Sequence, residues 1–156
     1  AAKVGTVYEL SGTTAASVDK QAPKFEILAP VADYSDLNNY SVTVKLTYGS
    51  TSYLFTGDIE KKAEKDILDS GADVSADVLK VAHHGSSSST SEDFFEAVSP
   101  QICVIQCGAG NDYGHPHAET LDAINGFGAE FYRTDLCGTV IVYSDGSQIF
   151  VKTVKE

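Results

Sequence analysis

Short apolar runs alternate with amphipathic segments of helical period through the middle of the chain, and that rhythm admits few architectures. SVTVKLTYG from Ser41 and SYLFTG from Ser52 are two strand-like runs that share the turn-rich GSTS, which predicts a hairpin. In IEKKAEKDIL, which follows Asp58, the spacing sets Ile59, Ala63, Ile67 and Leu68 on one face with charges elsewhere, and Gly71 stands where a helix would stop. DVLKVA then predicts a short strand, and Thr90-Ser91-Glu92-Asp93 resembles a capping box opening a helix that runs to Val98. ICVIQC predicts a buried strand, and AETLDAINGFG a helix ending at Gly126 or Gly128. The last two runs, TVIVYS and SQIFVKTV, pivot on Asp145-Gly146, a strong hairpin signal. Upstream of Ser41 the signals are weaker: strand-like Val4 to Leu10 and Phe25 to Leu28, punctuated by Pro23 and Pro30. The predicted fold is α/β, a mixed sheet with helices covering one face.

With 156 residues, 42% of them hydrophobic, the chain has apolar material for one core, so residues 1–156 are expected to form a single domain. The opening AAKVGTVYEL has neither a basic nor a continuous apolar stretch, and no apolar run approaches about 18 residues. A soluble domain with no membrane contact of its own is expected. Eleven basic against 22 acidic side chains leave a net charge of −11, which argues against a surface that holds nucleic acid by charge alone. A phosphate-bearing substrate would then need a local cation, and a bound divalent metal is one way to provide it. Cys103, Cys107 and Cys137 make no dense disulfide framework and read as small buried hydrophobes at strand positions.

All four histidines fall between positions 83 and 117, as the pairs His83-His84 and His115/His117, and each pair follows a strand-like run or the loop leaving one. In an α/β sheet, ligands bind at the loops beyond the carboxyl ends of strands. Asp58 has the same placement, because Tyr53-Leu54-Phe55 runs into Thr56-Gly57-Asp58 and Gly57 permits a tight exit. Carboxylate oxygens and neutral imidazoles are ligands that zinc or manganese accept. Plainer roles stand beside these: Asp58 as N-cap of a helix starting at Ile59, His83-His84 as a polar turn, His117 as a helix-entry residue. The tract Ser86 to Ser89 reads either as a phosphate ligand, through hydroxyls and backbone N–H groups, or as a flexible loop.

The series NNYSVTVKLTYG, LFTGDIEKKAEKDIL, ADVLKVAHHGSSSSTSEDFFEAVSP, GAGNDYGHPH and YRTDLCGT resembles the metallo-hydrolase domain of the ComEC competence family, from Phe25 to Gly146. The elements T-G-D, H-H-G-S and N-x-Y-G-H-P, in this order, carry the resemblance. It implies a metallo-β-lactamase-like αββα sandwich, of which this chain would be mainly the distal half, with up to two divalent ions, zinc or manganese, at the strand ends. On that resemblance Asp58 is a carboxylate bridging two metals, and His83 or its neighbour His84 is a metal ligand. Asn111, Tyr113 and His115 line the substrate cleft, with His115 as proton donor or phosphate contact. Asn39 and Ser41 match an element beside the metals that has no assigned role.

The H-x-H-x-D-H motif that the superfamily places earlier is absent, since no histidine precedes His83. The expected behaviour is weak metal affinity and no turnover by these 156 residues. A complete site of this kind implies two-metal hydrolysis of DNA or another phosphodiester, serving DNA uptake from a bacterial membrane or exported parent protein. A second reading is a non-catalytic domain that keeps the fold to bind DNA or a protein, and a third is hydrolysis of small esters or lactams. An open sheet edge also predicts a homodimer.

Overall fold

The computed structural model describes residues 22–155 together with the short strand Val7–Glu9. That strand lies inside the predicted run Val4 to Leu10, whose other residues fall outside the described ones. The main sheet runs in the order β1 (Val7–Glu9), β2 (Lys24–Ala29), β3 (Thr43–Tyr48), β4 (Thr51–Phe55), β5 (Val78–Lys80), β6 (Ile102–Ile105) and β7 (Glu130–Arg133). Strands β1 to β4 pair antiparallel, whereas β5, β6 and β7 add in parallel. Parallel neighbours need a crossover. α1 (Lys61–Asp69), α2 (Glu92–Val98) and α3 (Ala118–Phe127) provide the three in turn. The mixed α/β sheet expected from the alternating sequence is therefore present, while β7 and the single turn α4 (Thr134–Cys137) are elements the pattern did not announce.

Alternation along each strand divides the sheet into two faces. Leu28, Leu54, Leu79, Cys103 and Ile105 enter a common core with Ile59, with Ala63 and Ile67 of α1, Phe94, Phe95 and Val98 of α2, and Ile124 of α3. These are the helical positions that the 3.6-residue spacing singles out. Cys103 is buried, Cys107 and Cys137 are half-buried, and all three are free thiols.

On the opposite face, Tyr53, Phe55, Val78, Lys80 and Val104 border a groove of about 430 Å³ roofed by Val140 and Val142. Those two valines belong to β8 (Val140–Ser144), which with β9 (Ile149–Thr153) forms a separate antiparallel pair. The hairpin predicted around Asp145-Gly146 is thus present, laid across the main sheet instead of extending it. Its tip is clasped to the β3–β4 turn: Gly146 O accepts the Ser50 N–H at 2.8 Å, and the Thr51 and Ser144 hydroxyls lie 2.9 Å apart. A Cβ at Gly49 would stand 2.1 Å from Gly146 O, so only glycine allows this approach.

The start of α2 is where the sequence expected a capping box. Ser91 is the N-cap, yet its hydroxyl makes no capping bond. Glu64 of α1, fully buried, takes over by accepting the backbone N–H groups of Thr90 and of Ser91, the latter at 2.8 Å. Burial pushes this carboxyl above the usual carboxylate range, against the pull of those N–H groups.

Candidate functional site

Because β4, β5 and β6 lie side by side and parallel, the segments leaving their carboxyl ends open at one edge of the sheet. At the exit from β4, Gly57 has φ of +58°, and a Cβ there would come 2.7 Å from Ser41 Cβ. Ser41 Oγ accepts the Asp58 N–H at 3.0 Å, and the buried Asn39 side-chain oxygen accepts the Glu60 N–H at 3.0 Å. The Asn39 and Ser41 element therefore braces the loop that carries Asp58. Glu60, not Asp58, is the N-cap residue of α1. The Asp58 carboxylate is turned towards His84 instead.

Beyond β5, His83 and His84 both occupy the left-handed region, with φ of 46° and 55°. Each such non-glycine residue costs on the order of 1–3 kcal/mol and persists only where its surroundings impose it. Here the His83 N–H is bonded to Gly57 O at 3.1 Å, and Gly85 O accepts the His117 N–H at 3.0 Å. A Cβ at Gly85 would meet Pro116 Cβ at 2.6 Å, so the glycine of H-H-G-S lets the Pro116 loop close on it.

Hydrogen bonding assigns the ring tautomers. His84 Nδ1 lies 2.6 Å from Gln106 O, which can only accept, so Nδ1 carries a proton and the lone pair of the neutral ring is on Nε2. That nitrogen stands 3.5 Å from Asp58 Oδ1. Ser88 Oγ donates to Glu60 Oε1 at 2.9 Å, and His83 Nδ1 lies 3.3 Å from the same hydroxyl and 3.5 Å from Glu60 Oε1. His83 is then also an Nδ1–H donor with Nε2 as its acceptor face. His117 has the other tautomer: Nδ1 accepts the Ser87 N–H at 3.0 Å and Nε2 donates to Tyr113 O at 3.2 Å. It is the N-cap residue of α3, as its helix-entry reading expected, and its ring also links the serine tract to the loop after β6.

That loop places His115 in the middle of the group, its ring centroid 5.5 Å from His83, 6.3 Å from His84 and 4.8 Å from His117. Burial first, then the three neighbouring imidazoles, hold His115 below the ordinary histidine range, while Asp58 opposes them. The Asn111 amide is engaged on the loop itself, donating to Gly108 O at 2.9 Å and to His115 O at 2.6 Å and accepting the His115 N–H at 3.0 Å. Tyr113 stands out, 78% exposed. Ser86 and Ser89 are buried, and Ser89 Oγ donates to Ile59 O at 2.8 Å, so the tract packs against the protein.

Two ligands at about 2.1 Å from one tetrahedral ion lie about 3.4 Å apart, so the Asp58–His84 pair has the span of two ligands of a single ion. Among the described residues, no three His, Cys, Asp or Glu side chains gather as a ready-made metal site. The pair fits a metal only as part of a larger ligand set.

Glu60 and Ser88, which hold His83, were not legible as site residues, because a charge at a helix start and a serine in a serine tract have ordinary explanations. Lys80 is a third. Burial lowers its ammonium below the usual lysine range and the charge of Asp58 counteracts this, while Nζ donates to Val81 O at 2.6 Å.

No protein-family model matches the chain. Among curated proteins it is similar to ComE operon protein 3 of Bacillus subtilis (strain 168), 37% identical over 118 residues, covering 75% of this chain and 15% of that protein. It is also similar to Competence protein ComA of Neisseria gonorrhoeae, 34% identical over 118 residues, covering 74% of this chain and 17% of that protein. Recombination protein 2 of Haemophilus influenzae is 33% identical over 124 residues, 78% of this chain and 15% of that protein. The chain thus spans 15–17% of the length of these relatives. The Neisseria protein is named for competence and the Haemophilus protein for recombination. Among the described residues no helix is long and apolar enough to cross a membrane.

Proposed function

We propose that this chain carries half of a phosphodiester-hydrolysing site in a DNA-uptake protein of bacterial competence. The observation that carries the reading is the Asp58–His84 pair, a carboxylate oxygen 3.5 Å from an imidazole nitrogen where two parallel strands end. The likeness to competence proteins makes DNA the expected phosphodiester, with the whole parent protein as the acting unit. On this reading the sheet and its three helices are the distal half of a metallo-β-lactamase-like sandwich.

Asp58 and His84, with His83 beside them, would hold a divalent ion such as zinc or manganese, which when bound provides Lewis-acid polarisation of a phosphoryl oxygen. The remaining work falls to the chain's own groups. Gln106 O fixes the His84 tautomer, an orienting contact of the kind that ligand histidines need. Ser41 and Asn39 hold the Asp58 loop, and Asn111 fixes the backbone on both sides of His115. His115, central among the rings, offers a ring N–H to a phosphoryl oxygen or a proton to the leaving oxygen.

Manganese titrated into the purified chain with a short single-stranded oligonucleotide tests the reading. Metal-dependent retention of the oligonucleotide, lost in Asp58→Ala and in His84→Ala, is the expected result; retention that ignores both the metal and the two substitutions would overturn it.

A further inference from the structure

We infer that Tyr113 is a stacking platform for a nucleobase of the substrate strand, beside the histidine group. The inference rests on the phosphodiester reading and adds the part of the substrate that the phosphate contacts leave unassigned.

Tyr113 is a large aromatic side chain left 78% exposed, in a loop that is itself held firmly. Its carbonyl accepts from His117 Nε2 at 3.2 Å, and the Asn111 amide closes the loop with bonds at 2.6, 2.9 and 3.0 Å. The ring is not adrift either. It lies nearly parallel to His115, 18° between planes and 5.6 Å between centroids, and His115 lies 23° from the plane of His84 at 6.3 Å. His115 is thus nearly parallel to both Tyr113 and His84, the His84 ring is held by its bond to Gln106 O, and Tyr113 is the exposed member of the three. A base stacked on Tyr113 would lie beside this group of rings.

A cleft of about 200 Å³ is bordered by Tyr113 together with Cys107, Gly108, Asn111, His84 and His115. It is smaller than the roughly 300–1,000 Å³ typical of pockets for drug-sized ligands, and so is suited to one small ring system. Charge gives a second reason. A chain of net charge −11 gains little from attracting a polyanion at long range. Stacking on an aromatic face provides affinity that does not depend on charge and tolerates every base, because each base has a π-face.

The test compares binding of two fluorescent decamers, oligo-dT and an abasic strand of equal length and charge, to the chain with manganese present. Stacking of one base predicts that the wild type prefers oligo-dT by at least about fivefold, that Tyr113→Ala removes the preference, and that Tyr113→Trp keeps it. Since the sequence has no tryptophan, the indole of Tyr113→Trp would report directly, its emission quenched by oligo-dT and not by the abasic strand. A preference that survives in Tyr113→Ala overturns the inference. Equal binding of both decamers by the wild type, lost in Asp58→Ala, also overturns it while leaving the phosphodiester reading intact; no binding of either decamer overturns both.

Discussion

His84 Nε2 faces Asp58 Oδ1 at 3.5 Å while the other nitrogen of the same ring donates to Gln106 O at 2.6 Å, so one bond to the backbone aims the ring edge that meets the carboxylate. Calorimetric titration of zinc into the chain is expected to show weak binding that disappears in both Asp58→Ala and His84→Ala. Undiminished heat in the two variants would remove the pair from any metal site.

Gly85 has φ of +83° and Pro116 Cβ 2.6 Å from where its own Cβ would be. Gly85→Ala is expected to destabilise the protein by about 2–3 kcal/mol through overpacking and backbone strain. The prediction fails if chemical denaturation finds the variant within experimental error of the wild type.

Glu64 yields a pH dependence with a definite sign. Burial raises its folded-state pKa above the ordinary value of 4.5, so the folded protein binds this proton more readily than the unfolded chain does. The stability linked to Glu64 therefore rises as pH falls through the folded-state pKa and levels off below about 4.5, the unfolded value. Stability of Glu64→Gln should lack this rise as pH falls to about 4.5. Glu64→Ala is expected to cost about 2–4 kcal/mol at neutral pH and more in acid, because the Thr90 and Ser91 N–H groups lose their acceptor.

Asp73 behaves in the opposite way. The Lys45 ammonium at 2.7 Å, then the Ser75 hydroxyl, hold its carboxyl down to about 2. The stability this provides is present above the unfolded value of 3.8 and is lost as pH falls towards 2. Asp73 is 72% exposed, so solvent screening keeps the effect below about 1 kcal/mol. Acid titration of Asp73→Asn beside the wild type should show the two stability curves converging below pH 3.8.

Ser41→Ala removes the acceptor of the Asp58 N–H and is expected to cost about 1 kcal/mol. It should also weaken any metal binding without touching a ligand. If metal affinity is unchanged when stability falls, Ser41 is a structural brace alone.

Much of this was legible in the chain because periodicity is local. The buried face of α1 at Ala63 and Ile67, with Ile59 just before the helix, and the strand ends carrying Asp58, His83-His84 and His115, follow from patterns only a few residues long. What was not legible depends on distant partners. The cap of α2 comes from Glu64, 26 residues before Thr90, and no local rule anticipates it. The tautomers of His84 and His117 depend on Gln106 O, Ser87 N–H and Tyr113 O, backbone atoms that carry no side-chain signature. The hairpin of β8 and β9 was visible as a hairpin, but its position across the sheet is fixed by contacts to the β3–β4 turn.

The clasp between Gly146 and Ser50 joins residues 96 apart in the chain. Closing so long a loop is entropically costly before other contacts have shortened it, and contacts of high sequence separation form slowly. The helix-covered layer, built from crossovers between successive strands, is expected to assemble first, and the hairpin to settle on its far face afterwards. Refolding followed at both layers would then show two rates, with the aromatic side chains of the groove the last to leave water.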